Sequence, residues 1–143
     1  IPPVGLQFRP YVRKDGTLWL SYLWGNKNGK STSKTFQIGN ETNWISVAGV
    51  GMGAIVASKS DGTLWQRDLD NMRGLDNKDD LPTRLGIHGD WVALAGTRDG
   101  ALALAADGSL WLWPHRGVYD QRSLLMKLPK QPQFLGNVLD SKN

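Results

Sequence analysis

Asp107-Gly108-Ser109-Leu110-Trp111 decides the fold, because the chain carries this stretch two more times with threonine in place of the serine. The earlier copies read Asp15-Gly16-Thr17-Leu18-Trp19 and Asp61-Gly62-Thr63-Leu64-Trp65, and both intervals between copies are 46 residues. A fixed period of this length is typical of one supersecondary unit that is copied and stacked. The sequence therefore predicts a repeat protein of about three units.

The repeated unit extends well beyond this signature. Trp44-Ile45-Ser46-Val47-Ala48-Gly49 precedes the second copy, and Trp91-Val92-Ala93-Leu94-Ala95-Gly96 precedes the third. Leucine alternates with alanine over residues 101–105, which is the period of a β-strand. Asp-Gly between two such runs favours a tight hairpin, because glycine adopts positive φ without steric cost. We expect small antiparallel sheets, with residues 121–127 as the one helix candidate.

A unit of about 45 residues made of four short strands is typical of a propeller blade. Pro82-Thr83-Arg84-Leu85-Gly86, followed by the Trp91 segment and the third signature, resembles the RCC1-like repeat (regulator of chromosome condensation type) in its bacterial form. Trp24-Gly25-Asn26-Lys27-Asn28-Gly29 is similar to the Trp-Gly loop of that family. The resemblance runs from about residue 4 to residue 136. Tectonin-like lectin repeats are the weaker resemblance.

This resemblance implies an all-β protein of RCC1-like propeller blades arranged as a partial ring of about three. We expect one repeat domain over 1–143, with an incomplete first blade at 1–39, a second at 40–86, a third at 87–136 and a tail at 137–143. The family's rings usually have seven blades, so a row of three leaves an open face at each end. Head-to-tail self-association, blades from another chain or a longer polypeptide could cover these faces. We favour self-association, with a dimer as the expected form.

Composition and motifs point away from catalysis. The chain has no cysteine, which excludes disulfide and thiolate chemistry, and no apolar run long enough to span a membrane. His115, Asp120 and Ser123 have the residue types of a catalytic triad, but they fall within one variable loop. The acidic loop from Asp68 to Asp80 does not follow the EF-hand spacing. We expect no enzyme activity, no cofactor and no bound metal.

The net charge of +4 is unevenly distributed, because residues 1–48 carry six Lys and Arg against two Asp and Glu. No aromatic residue interleaves the lysines of that segment, as a binder of single-stranded nucleic acid would require, so we expect no nucleic-acid partner. The periodic tryptophans predict packing between blades. Trp24 and Trp113 border variable loops instead, and we expect both to be exposed ligand contacts.

In propellers, loops that differ between repeats are where specificity resides. Here those loops are 25–35, 67–84 and 114–132. We expect a noncatalytic scaffold that binds a protein partner through them, with a carbohydrate-binding lectin or a structural subunit of an end-to-end assembly as alternatives. The resemblance favours a secreted or periplasmic location. The candidate contact residues are Trp24, Lys27, Lys30, Lys34, Arg67, Arg73, Trp113, His115, Arg116 and Tyr119.

Overall fold

The computed structural model describes residues 7–25, 29–50, 54–69, 81–98, 100–114 and 132–139 of the chain. Within these ranges the secondary structure is eleven β-strands in three antiparallel sheets, without a helix. The helix candidate at 121–127 lies outside the described residues. The predicted all-β fold is confirmed, and in the described part no helix is long and apolar enough to cross a membrane.

Each sheet is one continuous stretch of the chain and forms one blade. The first blade has the strand order β1-β2-β3, with β1 Gln7–Val12, β2 Leu18–Gly25 and β3 Ser31–Gln37. The second has the order β4-β5-β6-β7, with β4 Trp44–Val50, β5 Ala54–Lys59, β6 Leu64–Asp68 and β7 Thr83–Leu85. The third has the order β8-β9-β10-β11, with β8 Trp91–Gly96, β9 Gly100–Ala105, β10 Ser109–Pro114 and β11 Gln133–Asn137. Among the described residues, the first blade has no counterpart of β4 and β8.

The repeated signature forms the hairpin at the centre of every blade. In the second blade the Gly62 amide donates to the Lys59 carbonyl, and the Lys59 amide donates to the Thr63 carbonyl, both at 3.0 Å. The loop between the paired strands therefore holds three residues, ending in a glycine with positive φ. The φ angles of Gly16, Gly62 and Gly108 are 83°, 85° and 88°.

A hydrogen bond joins each hairpin to the chain segment that follows its blade. The Trp44 amide donates to the Gly16 carbonyl, and the Trp91 amide donates to the Gly62 carbonyl, both at 3.0 Å. The Val138 amide makes the same contact with the Gly108 carbonyl at 2.8 Å. We call these three contacts the clamp hydrogen bonds. They fix where the chain leaves one blade and enters the next.

The apolar core lies between blades. The first and second blades meet through one cluster, which contains Leu18, Leu20, Ile38, Trp44, Ile55, Ala57 and Leu69. The second and third blades meet through another, which contains Val50, Ala54, Val56, Leu64, Leu85, Trp91, Ala101, Ala103, Ala105 and Trp113. Between the second and third blades, large side chains of the second pack on alanines of the third, whereas the first blade packs on Ile55 and Ala57 of the second. The prediction that the periodic tryptophans pack between blades is confirmed for Trp44 and Trp91, which are both buried.

Two sequence-based expectations require correction. The predicted loop at 25–35 is wrong in part, because strand β3 begins at Ser31 and pairs along the whole length of β2. The predicted exposure of Trp113 is also wrong, because its side chain is only 2% exposed. Trp113 pairs with Ala101 across the β9–β10 ladder and therefore shares the face that packs on the second blade.

Candidate functional site

Every residue of the repeated signature has a structural role in its hairpin. In the second blade, Asp61 Oδ1 accepts hydrogen bonds from the Thr63 amide at 3.0 Å and the Thr63 hydroxyl at 2.5 Å. The Trp65 indole N–H then donates to the Thr63 hydroxyl at 2.7 Å. Asp15-Thr17-Trp19 and Asp107-Ser109-Trp111 form the same chain of bonds. The signature is therefore a folding element that all three blades share.

These hydrogen bonds favour the ionised aspartates. A bond from the Thr63 side chain, followed by one from its backbone amide, holds the pKa of Asp61 below its ordinary value of 3.8. The same two contacts from Thr17 lower the pKa of Asp15, and those from Ser109 lower the pKa of Asp107. The folded chain therefore binds these protons less tightly than the unfolded chain does.

We expect the stabilisation from Asp61 to be present above pH 3.8 and to be lost as the pH falls below that value. The direction follows because a carboxyl whose pKa is depressed in the folded state stabilises that state only while it is ionised. Urea denaturation of the wild-type chain and Asp61→Asn between pH 3 and pH 7 measures this. The difference in midpoint should be constant above about pH 5 and shrink below pH 4. A difference that stays constant down to pH 3 would contradict the assignment.

The outer face of the third blade is a partly exposed apolar surface, and no described blade lies over it. Leu110 pairs with Leu104, and Leu112 pairs with Leu102, so these four side chains share one face of β9 and β10. Ala93 and Ala95 of β8 pair with the same two β9 leucines and extend that face. The four leucines are half-buried and the two alanines are exposed. We call these six residues the leucine face.

The position of Leu110 is fully covered in the other two blades. Leu64 of the second blade and Leu18 of the first stand where Leu110 stands in the third, and both are 0% exposed. Leu64 packs in the cluster that includes Ala103 of the neighbouring blade. The leucine face thus corresponds to the surface through which the second blade contacts its next neighbour, and among the described residues no blade covers it.

The opposite end of the row is chemically different. On the first blade, Arg9 pairs with Ser21 and Tyr11 pairs with Trp19, so these four side chains share the face turned away from the second blade. The Arg13 guanidinium lies 3.7 Å from the centroid of the Trp19 ring on the same side of the hairpin. This end face carries polar, charged and aromatic groups where the third blade has leucine and alanine.

A groove of about 760 Å³ runs between the outer edges of the second and third blades. Asp68 and Arg84 line it from the second blade, and Trp111 lines it from the third. The Arg84 guanidinium donates to the Ile87 carbonyl at 3.0 Å, which holds the β7–β8 connection in place. Ile87 also lines the groove and is 87% exposed. The groove is therefore lined by acidic, basic and exposed apolar side chains.

The structure separates the sequence-predicted contact residues. Lys30 and Lys34 are exposed at the start of β3 and within it, on the first blade. Arg67 is only 2% exposed, and its guanidinium lies 5.6 Å from the Phe36 ring at the boundary between the first and second blades. Trp24 belongs to β2. Five of the candidates lie outside the described residues: Lys27, Arg73, His115, Arg116 and Tyr119.

Three solved structures share this arrangement of blades. Human WBSCR16 superposes on 93% of the chain with a TM-score of 0.56 and 16% sequence identity. Prp20p from Saccharomyces cerevisiae, studied for its binding to Gsp1p and histones, gives 0.56 at 17% identity over 93% of the chain. Yeast RCC1 (Prp20) in complex with Kap60 gives 0.55 at 16% identity over 96%. The fold is that of an RCC1-like propeller.

The RCC1-like blades predicted from the sequence are therefore confirmed as a fold. The chain spans 37% to 38% of the length of these three structures, so it corresponds to part of an RCC1-like ring. No protein-family model matches the sequence. No curated protein matches it either. At this level of identity the similarity describes the architecture, and the binding partners of the solved proteins are properties of those proteins.

Sequence reasoning missed two features of the site. The leucine face was visible as alternation of leucine and alanine over residues 101–105, but the pattern alone does not say which face has a neighbour. Lys59 was also missed, although it stands at the same distance before Trp65 as Arg13 does before Trp19. It is buried at 7% exposure and lies over the Trp65 ring. Comparing the residue that precedes each turn across the repeats would have found it.

Proposed function

We propose that this chain is a noncatalytic scaffold that binds a protein partner, and that the partner covers the leucine face. The observation that carries this proposal is the contrast between Leu110, which is half-buried, and Leu18 and Leu64, which are 0% exposed at equivalent positions. A contiguous apolar patch of this kind marks an interaction surface. The binding of Gsp1p and histones by Prp20p, which has the same fold, is in keeping with such a role.

The interface between the second and third blades indicates the chemistry of the partner. There, Val56 and Leu64 pack on a strand that presents Ala101 and Ala103, with Trp113 in the same cluster. Small side chains at alternate positions let the two sheets approach closely, and the tryptophan fills the remaining space. We therefore propose that the leucine face receives another blade of this type, with alanines on its second strand.

A second copy of this chain packed head to tail fits this surface poorly. The free face of the first blade would have to supply the alanines, but Arg9 and Tyr11 stand where the third blade has Ala101 and Ala103. Burying an arginine against leucines without an acidic partner carries a large desolvation cost. The residues on the two end faces of the row therefore favour a blade from a different protein over the head-to-tail dimer that the sequence predicts. A dimer in which two leucine faces meet is the remaining form of self-association.

An appended repeat tests the blade proposal on the full chain. A second copy of residues 87–139, joined after residue 139, supplies a blade whose alanines can cover the original leucine face. We expect the melting temperature to rise by about 5 °C or more, since an added interface contributes several kcal/mol in a stacked repeat. The matched control carries Tyr in place of the appended Ala103, which reproduces the first-blade residue. Equal stabilisation by both versions, or none by either, would contradict the proposal.

Solution mass distinguishes the alternatives for the chain alone. We expect light scattering to give a mass near 15.8 kDa on dilution. We also expect the wild-type chain to bind the apolar dye ANS, and the Leu102→Lys variant to bind less of it. If the chain forms a discrete dimer and Leu102→Lys dissociates it, the partner at the leucine face is a second copy of this chain and not a different protein. The connections between β6 and β7 and between β10 and β11, which are the inner parts of the predicted loops 67–84 and 114–132, remain the proposed sites where a partner is recognised.

A further inference from the structure

Two of the three repeats hold a cationic side chain over the signature tryptophan. In the first, the Arg13 guanidinium lies 3.7 Å from the centroid of the Trp19 ring. In the second, the Lys59 ammonium lies 4.0 Å from the centroid of the Trp65 ring. Both cations occupy the same place in the repeat, six residues before the tryptophan. A cation at this distance is attracted by the negative face of the aromatic ring.

The site in the second repeat is nearly closed. The Lys59 ammonium also lies 4.9 Å from the Trp44 ring centroid and forms an ion pair with Glu41. The lysine side chain is only 8% exposed. A buried ammonium requires such partners, because water no longer solvates it. In the second repeat, two indole rings and one carboxylate thus hold one cation.

The third repeat keeps the two tryptophans but lacks the cation. Ala105 stands where Lys59 and Arg13 stand, six residues before Trp111. Trp91 and Trp111 take the places of Trp44 and Trp65, and a cavity of about 100 Å³ opens between these residues. We call it the Ala105 cavity. It corresponds to the position of the lysine side chain in the second repeat.

The walls of the Ala105 cavity match a cation. Asp90 and Asp107 line it together with the two tryptophans. His88 stands at the position that Glu41 has in the second repeat, and its ring lies 6.3 Å from that of Trp91. The carboxylate next to Trp91 is therefore that of Asp90. A volume of 100 Å³ is about that of three liquid water molecules. It accommodates an ammonium group with one or two methylenes, or a guanidinium group.

We propose that the Ala105 cavity binds an ammonium or guanidinium group supplied from outside the chain. Its source is a lysine or arginine side chain of a protein, or a small free amine. The proposal does not depend on the leucine face, because the cavity is complete within the third repeat and its connection from the second blade. The first two repeats supply this cationic group from their own side chains, whereas the third repeat binds it from another molecule.

The test uses the full chain labelled with ¹⁵N, with the indole N–H signals observed during titration. The probes are ethylammonium and ethylguanidinium chloride, each compared with propanol as a neutral molecule of similar size. We expect saturable shifts at Trp91 and Trp111, with a dissociation constant on the order of 1–10 mM for the cations. Propanol should cause no saturable shift. Equal shifts from propanol, or none from either cation, would overturn the proposal.

Two lysine variants locate the site. Ala105→Lys places in the third repeat the residue that the second repeat holds at this position, so it should fill the cavity and abolish the shifts. Ala106→Lys adds the same charge one residue later, at the position of Lys14 in the first repeat, and should keep probe affinity within about twofold. Asp90→Asn leaves the cavity open and should weaken cation binding about two- to fivefold. Equal loss in both lysine variants would contradict a site at the Ala105 cavity.

A second titration distinguishes a protein side chain from a small amine as the source of the cation. The peptide N-acetyl-Gly-Lys-Gly-amide is titrated beside ethylammonium, with norleucine in place of lysine as the neutral control. Tighter binding of the lysine peptide than of ethylammonium identifies a protein side chain as the ligand. Tighter binding of ethylammonium identifies a small amine. Saturable binding of the norleucine peptide at the same indoles would overturn the cation assignment.

Discussion

Replacing Leu64 with alanine should lower the free energy of unfolding by about 3–5 kcal/mol. Leu64 is 0% exposed and belongs to the cluster between the second and third blades. The sheets on both sides are held by their own backbone ladders, so they cannot collapse onto the space that the leucine leaves. The cost therefore includes a cavity in addition to the lost burial of apolar surface. Urea denaturation followed by tryptophan fluorescence measures it.

The matched control is Leu110→Ala, the same substitution at the same position of the next repeat. Leu110 is half-buried on the leucine face, and no other blade lies over it in the described structure. We expect a cost of about 1 kcal/mol or less, from a partial loss of apolar contact without a cavity. Equal costs at the two positions would show that the leucine face is covered in solution. A partner that binds this face should raise the cost of Leu110→Ala towards that of Leu64→Ala.

Gly62→Ala should be at least as damaging, with a loss of about 4 kcal/mol or more. At a φ of 85°, an L-residue other than glycine already carries a cost of about 1–2 kcal/mol. In addition, a Cβ at this position would lie 2.0 Å from the Gly89 carbonyl oxygen, which is backbone and cannot rotate away. Relieving the contact would displace the connection into the third blade and break the clamp hydrogen bond to Trp91.

Gly29→Ala separates the two causes of that loss. Gly29 has a similar φ of 76°, but none of the described residues lies within 4 Å of a Cβ built there. Its substitution should therefore cost only the backbone penalty, about 1–2 kcal/mol. Thermal unfolding of both variants measures the difference. Similar losses at the two glycines would show that the close approach between blades does not contribute, and that the turn conformation alone is responsible.

The repeat period made most of the fold predictable from the sequence. Three copies of one signature fixed the number of hairpins, and Asp-Gly fixed the turns, since glycine alone adopts the required φ without cost. Alternation over residues 101–105 predicted strand β9. These signals are local and repeated, so each copy supports the others. The sequence could not reveal the hydrogen bonds between consecutive blades, because they join residues that are far apart in the chain.

The errors arose where local composition and strand geometry disagree. Residues 31–37 are rich in serine, threonine and lysine, which indicated a loop, yet they form the edge strand β3. Edge strands tolerate such residues because one side is not paired. Trp113 borders a variable loop, but it lies two residues after Trp111 and therefore shares its face. Applying the period of two to β10 would have placed Trp113 in the core.

The candidate site was predictable only in part. The sequence showed which loops vary, but it could not show that Arg67 is buried at the boundary with the first blade. It also could not distinguish Ala103, which packs in the core cluster, from Ala105, which packs there and also borders a cavity. That distinction depends on which side chains approach from the adjacent segment, and those come from distant parts of the chain.

The clamp hydrogen bonds have a consequence for the way the protein is made. Each joins a turn to a residue delivered later by the ribosome, as Gly16 precedes Trp44 and Gly62 precedes Trp91. A finished blade therefore offers its turn carbonyl and its apolar face as a template before the following strand has been synthesised. Each new blade can assemble on the previous one during translation.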